Sequence, residues 1–368
     1  MSKLITPRNN FGFVGKVQEM CKTLENVRKA GVDLSLHDYV EKELTHNSGA
    51  ALSYEQFLED LGVNPNIHTF DNVVTADFDT TWLIPEIIRE AIRLGLRRAP
   101  IWPNIIRSEE SVDNIQVTFP KLNFSTDTKM ETTNEGEQIP IGYVSYSHKT
   151  VPIHKITRGI QITYEAIRYT RLNMVDVFFE DVGVRLGHSQ DAMALDVAIN
   201  GDQDDGSESA PVIGVEDPAD TVTYYDTTRV YVRGGLIGRN YQQMIGNEGQ
   251  CLAILNWDEY KNRQAGTTQP IAVKIPLVTN PELYAHINIP DNNLLMLDKQ
   301  FGLVKLTAEP LMVESESIVR RQLKGTYASI TTGFAKLFRD AIVLVDGTHD
   351  FTDVGFGWPD WMTVGYED

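Results

Sequence analysis

Between Glu110 and Gly201 the spacing of hydrophobic positions changes, and the change separates two kinds of element. Val112, Ile115, Val117, Phe119, Leu122 and Phe124 form a loosely alternating run rich in strand-forming residues, and a second such run returns from Ile139 to Ile162. Between them, Ser125-Thr126-Asp127-Thr128 and Thr132-Thr133-Asn134-Glu135-Gly136 carry turn chemistry and too little apolar surface to anchor a core. The pattern predicts a projecting hairpin. Such a hairpin is marginal in water by itself, and little of the sequence remains to cover it, so a neighbouring subunit is the expected support. After Thr163, Val175, Phe178, Phe179, Val182, Leu186, Met193 and Val197 recur at helical spacing. They predict one helix of about seven turns, with Asn173 as a cap for its main body and Asn200-Gly201 as its stop.

The flanking segments read more locally. Residues 1–75 contain short amphipathic patterns such as Val14-Val17-Met20-Leu24-Val27, broken by Gly31, Gly49, Gly62 and Pro65, and suggest an arm or small helical subdomain. A helix is expected from Thr80 to Arg98, with Pro85 in its first turn and Ile87, Ile88, Ala91, Ile92 and Leu94 turned inward. Arg89, Arg93 and Arg97 then form a basic stripe, read as a solvated face paired with acids such as Glu86 and Glu90, or else as a contact to a neighbouring subunit or enclosed DNA. Residues 202–220 hold seven acids and no base, a surface loop. Beyond it a mixed α/β lobe is expected: a helix over Thr228 to Gly246, a buried strand over Cys251-Leu252-Ala253-Ile254-Leu255, and a short helix over Trp257 to Arg263 capped by Asn256. Strands follow at Ile271 to Val278 and Asn293 to Leu297, and Ala308 to Glu314 leads away from the lobe with Pro310 at the junction. Thr326 to Thr332 and Ala341 to Val345 are strand-like between Gly325, Gly333 and Gly347. Phe351, Phe356, Trp358, Trp361 and Tyr366 make the final segment too aromatic for an idle tail, so it should pack on this subunit or another.

Composition narrows the function more than the fold. At 368 residues with 42% hydrophobic and 23% charged positions, the chain can bury a sizeable core. Acids outnumber bases 51 to 33, for a net charge of −18, which disfavours a broad nucleic-acid-binding surface and leaves only local contact with DNA. Two cysteines, Cys21 and Cys251, without CxxC or Cys/His spacing, point to a reducing origin. The sequence shows no charged-then-apolar leader and no 18-residue apolar stretch, so neither secretion nor membrane insertion is expected.

Signals of chemistry are weak. Asp202, Asp204, Asp205, Gly206 and Glu208 invite a calcium reading, but Gly206 falls at the fifth position, where an EF-hand loop needs an acid, with Gly at the sixth. Gly234-Gly235-Leu236-Ile237-Gly238 lacks the GxGxxG pattern and reads as a flexible or closely packed turn. There is no phosphate loop, HExxH motif or nucleophile elbow. His148 and His154 would share a face of one regular strand, yet about 20 Å apart they could not share a metal. No catalytic, cofactor or metal residue is assigned.

In its order of elements the chain resembles the major capsid proteins of tailed bacteriophages, with the Hong Kong-phage-type shell fold. Glu110 to Ile162 resembles that family's extended loop, and Thr163 to Gly201 its spine helix, with Ala194 to Gly201 (ALDVAING) similar to the helix end. Cys251 to Tyr260 (CLAILNWDEY) resembles an axial-domain strand and aromatic-bearing helix, and Asn293 to Gly347 the strands that return to the peripheral domain. The resemblance implies an α+β fold divided into an N-terminal arm and helices (1–109), the extended loop (110–162), a peripheral domain with the spine helix (163–224), an axial domain (225–308), returning strands (309–347) and an aromatic tail (348–368). It implies a structural, non-enzymatic role: pentamers and hexamers of an icosahedral head around double-stranded DNA, in virions assembled in the host bacterial cytoplasm. Phe119, Lys121, Phe124, Lys129 and Glu135 in the loop are then the expected intersubunit contacts. Partners would be further copies of the chain, a portal, possible scaffold or decoration proteins, and DNA through weak non-specific contact.

Residues 1–75 are expected as an ordered arm gripping adjacent subunits, not as a segment removed by a protease. Some relatives crosslink a loop lysine; Lys121 and Lys129 lie in the comparable arm, but no partner residues are identified and crosslinking is not expected. The competing readings are an encapsulin-type compartment shell and an α+β enzyme with an acidic cleft.

Overall fold

A computed structural model describes residues 24, 26–27, 36–43, 56–57, 83–98, 100–114, 116–124, 144–169, 172–202, 209–216, 221–257 and 282–350. In chain order these form α1 (Leu36–Glu43), α2 (Leu83–Arg98), α3 (Trp102–Ile105), β1 (Ile106–Ser111), β2 (Gln116–Phe124), β3 (Val144–Pro152), β4 (His154–Thr163), α4 (Tyr164–Tyr169) and α5 (Leu172–Asn200). There follow β5 (Val212–Val215), α6 (Tyr224–Leu236), β6 (Gln243–Gly246), α7 (Glu248–Leu255), β7 (Glu282–Ala285), β8 (Asn293–Leu297), β9 (Leu303–Ile318), β10 (Leu323–Lys336) and β11 (Ile342–Asp350). The protein is α+β.

Three sheets divide the strands. One has the order β1-β9-β10-β4, a second β5-β11-β8-β6-β7, and β2 pairs with β3 alone. Continuous apolar runs mark the centre of the second sheet, because both its faces are covered. Leu295, Leu297, Ile342 and Leu344 pack into a core with Ala194, Leu195 and Ala198 of α5. Their alternating neighbours Leu294, Met296, Val343 and Val345 pack on the opposite side with Val230 and Tyr231 of α6 and Ile254 of α7. A helix on each face accounts for the absence of polar positions in Ala341 to Val345.

The long helix α5 belongs to two cores. Phe179 and Leu186 pack with Ile87, Ile88, Ala91 and Ile92 of α2 and with Leu311, Ala328 and Ile330 of the first sheet. Where α2 crosses α5, two glycines bring the backbones together: a Cβ on Gly95 would fall on the Glu180 carbonyl and 2.9 Å from the Gly183 Cα. Arg98 Nε ties the same crossing to Glu180 Oε1 at 2.9 Å. At its far end α5 stops at Gly201, whose φ of 89° is the left-handed conformation that favours glycine.

Several expectations need correction. Cys251 to Leu255 is not a strand but the second half of α7. Asn247 caps that helix by accepting from the Gln250 N–H at 2.8 Å, and Cys251 and Ile254 are buried while Leu252 and Leu255 are exposed, a helical spacing. Asn256 is its C-cap, and the helix expected over Trp257 to Arg263 lies, from residue 258 on, outside the described residues. The helix expected over Thr228 to Gly246 spans Tyr224–Leu236, starting at a Thr223/Asp226 capping box, and Gln243–Gly246 is strand β6. The glycines of Gly234 to Gly238 close α6, with Gly238 at φ 73°.

The long helix begins at Leu172, so Asn173 lies inside it and not at its cap, and α4 precedes it as a separate short helix. Leu94 is exposed instead of inward. The return run to Ile162 is two strands: β3 pairs with β2, whereas β4 crosses into the first sheet beside β10. His148 and His154 thus belong to different sheets and share no strand face. Pro310 is no junction but lies within β9, at an irregularity in pairing with β10 where a proline's missing N–H does least harm.

Leu24, Leu36, Val40 and Phe57 are buried in one core with Ile87, Ile88 and Ile92 of α2, so these N-terminal residues pack on their own chain. The remainder of residues 1–75, the hairpin tip, residues 203–208 and 217–220 of the acidic segment, the strand expected at 271–278 and the tail 351–368 lie outside the described residues. Between the two acidic stretches Val212–Val215 is strand β5, with Ile213 and Val215 buried, so 202–220 is not a surface loop throughout.

Candidate intersubunit surface

The hairpin is built from strand-favouring residues at one end and held by buried groups at the other. β2 and β3 pair antiparallel from Gln116↔Pro152 to Phe124↔Val144, with Phe119 opposite Lys149, Lys121 opposite Ser147 and Phe124 opposite Val144. Lys129 and Glu135 lie outside the described residues. Neither strand pairs with a third among the described residues, so each presents an outer row of backbone donors and acceptors.

The root of the hairpin is apolar and ionic together. Val151 and Ile153 are buried with Val304, Leu306 and Ala335, and Val117 packs against them. Beside them Lys149 Nζ lies 2.7 Å from Asp202 Oδ2 and donates to the Lys336 carbonyl. Asp202 Oδ2 also accepts from the Lys336 N–H at 2.9 Å, and Lys336 Nζ donates to the Ala198 carbonyl at 3.0 Å. This buried lock joins the hairpin, the end of α5 and β10. Asp202, one of the acids considered for calcium, is committed to this lock; Asp204, Asp205, Gly206 and Glu208 lie outside the described residues.

A second surface lies on the first half of α5. Met174, Val177 and Phe178 share one helical face and are all exposed, Phe178 to 61%. Large apolar side chains gathered at helical spacing in water mark a contact surface more often than isolated ones do. The basic stripe on α2 is not a uniformly solvated face: Arg89 is only 6% exposed, Arg93 half-buried and Arg97 exposed, while Glu90 is buried. Its first member sits inward because Ile88 and Ile92 on adjacent faces draw that side of the helix into the core.

One polar cluster was not legible in the sequence. His188 and Asp191 on α5 meet His286, just after β7, with one possible ligand atom from each within 4.8 Å of the others. Asp191 Oδ1 accepts from the Ile101 and Trp102 N–H groups, each at 2.8 Å, while burial pushes its carboxyl up. Burial, together with His188, pushes the His286 imidazole down. The three-residue spacing of His188 and Asp191 is the only local signal, and nothing near His286 points to them. Nearer the start of α5, burial raises the Asp176 carboxyl to about 7.

The chain matches no protein-family model and no curated protein. It is similar to several solved structures. One is a virus-like particle from Pyrococcus furiosus, at 10% identity and a TM-score of 0.48, covering 71% of this chain and 98% of that one. The capsid of an empty GTA particle follows at 15% identity and 0.47, covering 66% and 88%. The capsid of the cyanophage P-SCSP1u stands at 14% identity and 0.48, covering 67% and 88%.

Proposed function

We propose that the chain is a structural subunit that assembles with copies of itself into a closed icosahedral shell, as the major capsid protein of a tailed bacteriophage. The observation that carries this reading is the β2–β3 hairpin, buried at its root by Lys149, Val151 and Ile153 and joined to no third strand among the described residues. Two strands alone are marginal, and a neighbouring subunit that covers or extends them supplies the missing support. The exposed Met174–Val177–Phe178 face offers a second contact. With many such contacts per subunit, each can be weak while the shell as a whole is stable.

In this reading the hairpin is the extended loop and α5 the spine. The first sheet belongs to a peripheral domain, and the second, with α6 and α7, is the axial lobe. Phe119, Lys121, Phe124, Lys129 and Glu135 lie along the intersubunit clasp. Heterologous contacts that close by rotation give the pentamers and hexamers of the shell. Portal, scaffold or decoration proteins complete the head in the host cytoplasm, and DNA inside a wall of net charge −18 per subunit is held only by weak, non-specific contact. The role is association and needs no turnover.

Electron microscopy of the purified chain tests the proposal. Uniform shells are expected; small monodisperse oligomers at every concentration would overturn it. Phe178→Asp should abolish shells while leaving the melting temperature of the subunit unchanged, because that side chain is already in water. Double-stranded DNA within particles from producing cells separates a viral head from a compartment shell.

A further inference from the structure

We propose that His188, Asp191 and His286 form a binding site for one divalent transition-metal ion of the zinc class, which joins α5 to the end of β7. Two imidazoles and one carboxylate, with one atom from each within 4.8 Å of the others, are the donor set that borderline divalent ions prefer. Tetrahedral coordination would set those atoms about 3.3 Å apart. His188 is the exposed member of the three, at the solvent edge of the cluster.

Asp191 supplies the second, independent observation. Its side chain is 0% exposed, and Oδ2 is buried without a hydrogen-bond partner. Leaving a carboxylate oxygen so is costly unless a cation meets it. Oδ1, held by the Ile101 and Trp102 amides at 2.8 Å, fixes the carboxylate in place as a supporting hydrogen bond fixes a metal ligand.

The other two donors are positioned by their elements. His188 and Asp191 are three apart on α5 and so share a face. The His286 backbone is held by its N–H donating to the Gly246 carbonyl at 2.9 Å, which places its ring 6.1 Å from that of His188. His286 Nδ1 accepts from the Asn288 N–H at 3.1 Å. Ligation through Nε2 moves the ring proton to Nδ1 and gives up that one turn contact. The three protein donors leave a fourth position for water, and the bound ion acts as a staple between the long helix and the second sheet.

Isothermal titration of the chelator-treated full chain with zinc chloride, with cobalt(II) absorption as a coordination readout, tests the site. Binding of one equivalent, a four-coordinate cobalt spectrum and a higher melting temperature with metal are expected, since a ligand bound to the folded state alone stabilises it. His188→Ala and Asp191→Asn should each lose at least tenfold in affinity, whereas His349→Ala, at a histidine paired with Asp346, should not. Alanine is the strongest helix former, so His188→Ala keeps the fold. Absence of binding by the unaltered chain, or affinity unchanged in His188→Ala and Asp191→Asn, would overturn the proposal. The outcome is independent of whether the chain forms shells.

Discussion

Asp176 shows how one buried carboxyl makes stability depend on pH. Burial lifts its pKa from 3.8 to about 7, so between these values the folded chain holds a proton that the unfolded chain has released. Stability from this group therefore falls as pH rises from about 4 to about 7. Asp176→Asn removes that slope, and thermal melts should show the variant gaining on the parent at pH about 8 relative to pH about 4. The Lys149–Asp202 pair predicts the opposite kind of result. Lys149→Met strands a buried carboxylate and should cost about 3–5 kcal/mol in urea denaturation. Neither residue announced its role in the sequence. Lys149 carries no signal of its own in the sequence, and Asp202 reads there as the first acid of a loop; their burial depends on Lys336, whose carbonyl accepts from Lys149 and whose N–H donates to Asp202.

Elements were legible where periodicity extends over many residues. The helix that stops at Gly201 and the hairpin arm over Gln116–Phe124 stand where the pattern put them, whereas Glu110 and Ser111 at the start of that arm belong to β1 in the first sheet. Short apolar runs were not, because five residues such as Cys251 to Leu255 suit a strand or a buried helix turn equally, and the deciding Asn247 cap lies upstream. The α2–α5 crossing was equally hidden. Gly95 and Gly183 are unremarkable inside helical patterns, yet each lets the other helix come to backbone contact. Gly183→Ala should accordingly destabilise the chain by about 1–3 kcal/mol or more, although alanine favours a helix. A melting temperature at or above that of the parent would show that the crossing can open without loss.

For the molecule as a whole, the hairpin root and the exposed helix face divide labour between folding and association. The root is buried and ionic, so changes there should be read in stability; Phe178 is in water, so its change should be read in assembly alone. That division is what the Phe178→Asp and Lys149→Met experiments separate. Among the described residues β2 and β3 pair with no third strand, whereas β4, the second half of the return run, gains its support within the chain by pairing with β10.

Local order determines which segments become helices and strands, since hydrophobic spacing, capping residues and glycine stops act over a few residues. The sequence by itself therefore determined the mixed architecture, the long helix with its end at Gly201 and the hairpin's first arm. Only the tertiary structure decided which side chains are buried and which meet. The Lys149–Asp202–Lys336 lock, the glycine crossing and the His188–Asp191–His286 cluster each join residues distant in the chain. Such meetings arise from sheet order and from the packing of α5 on both sheets, which no local pattern encodes.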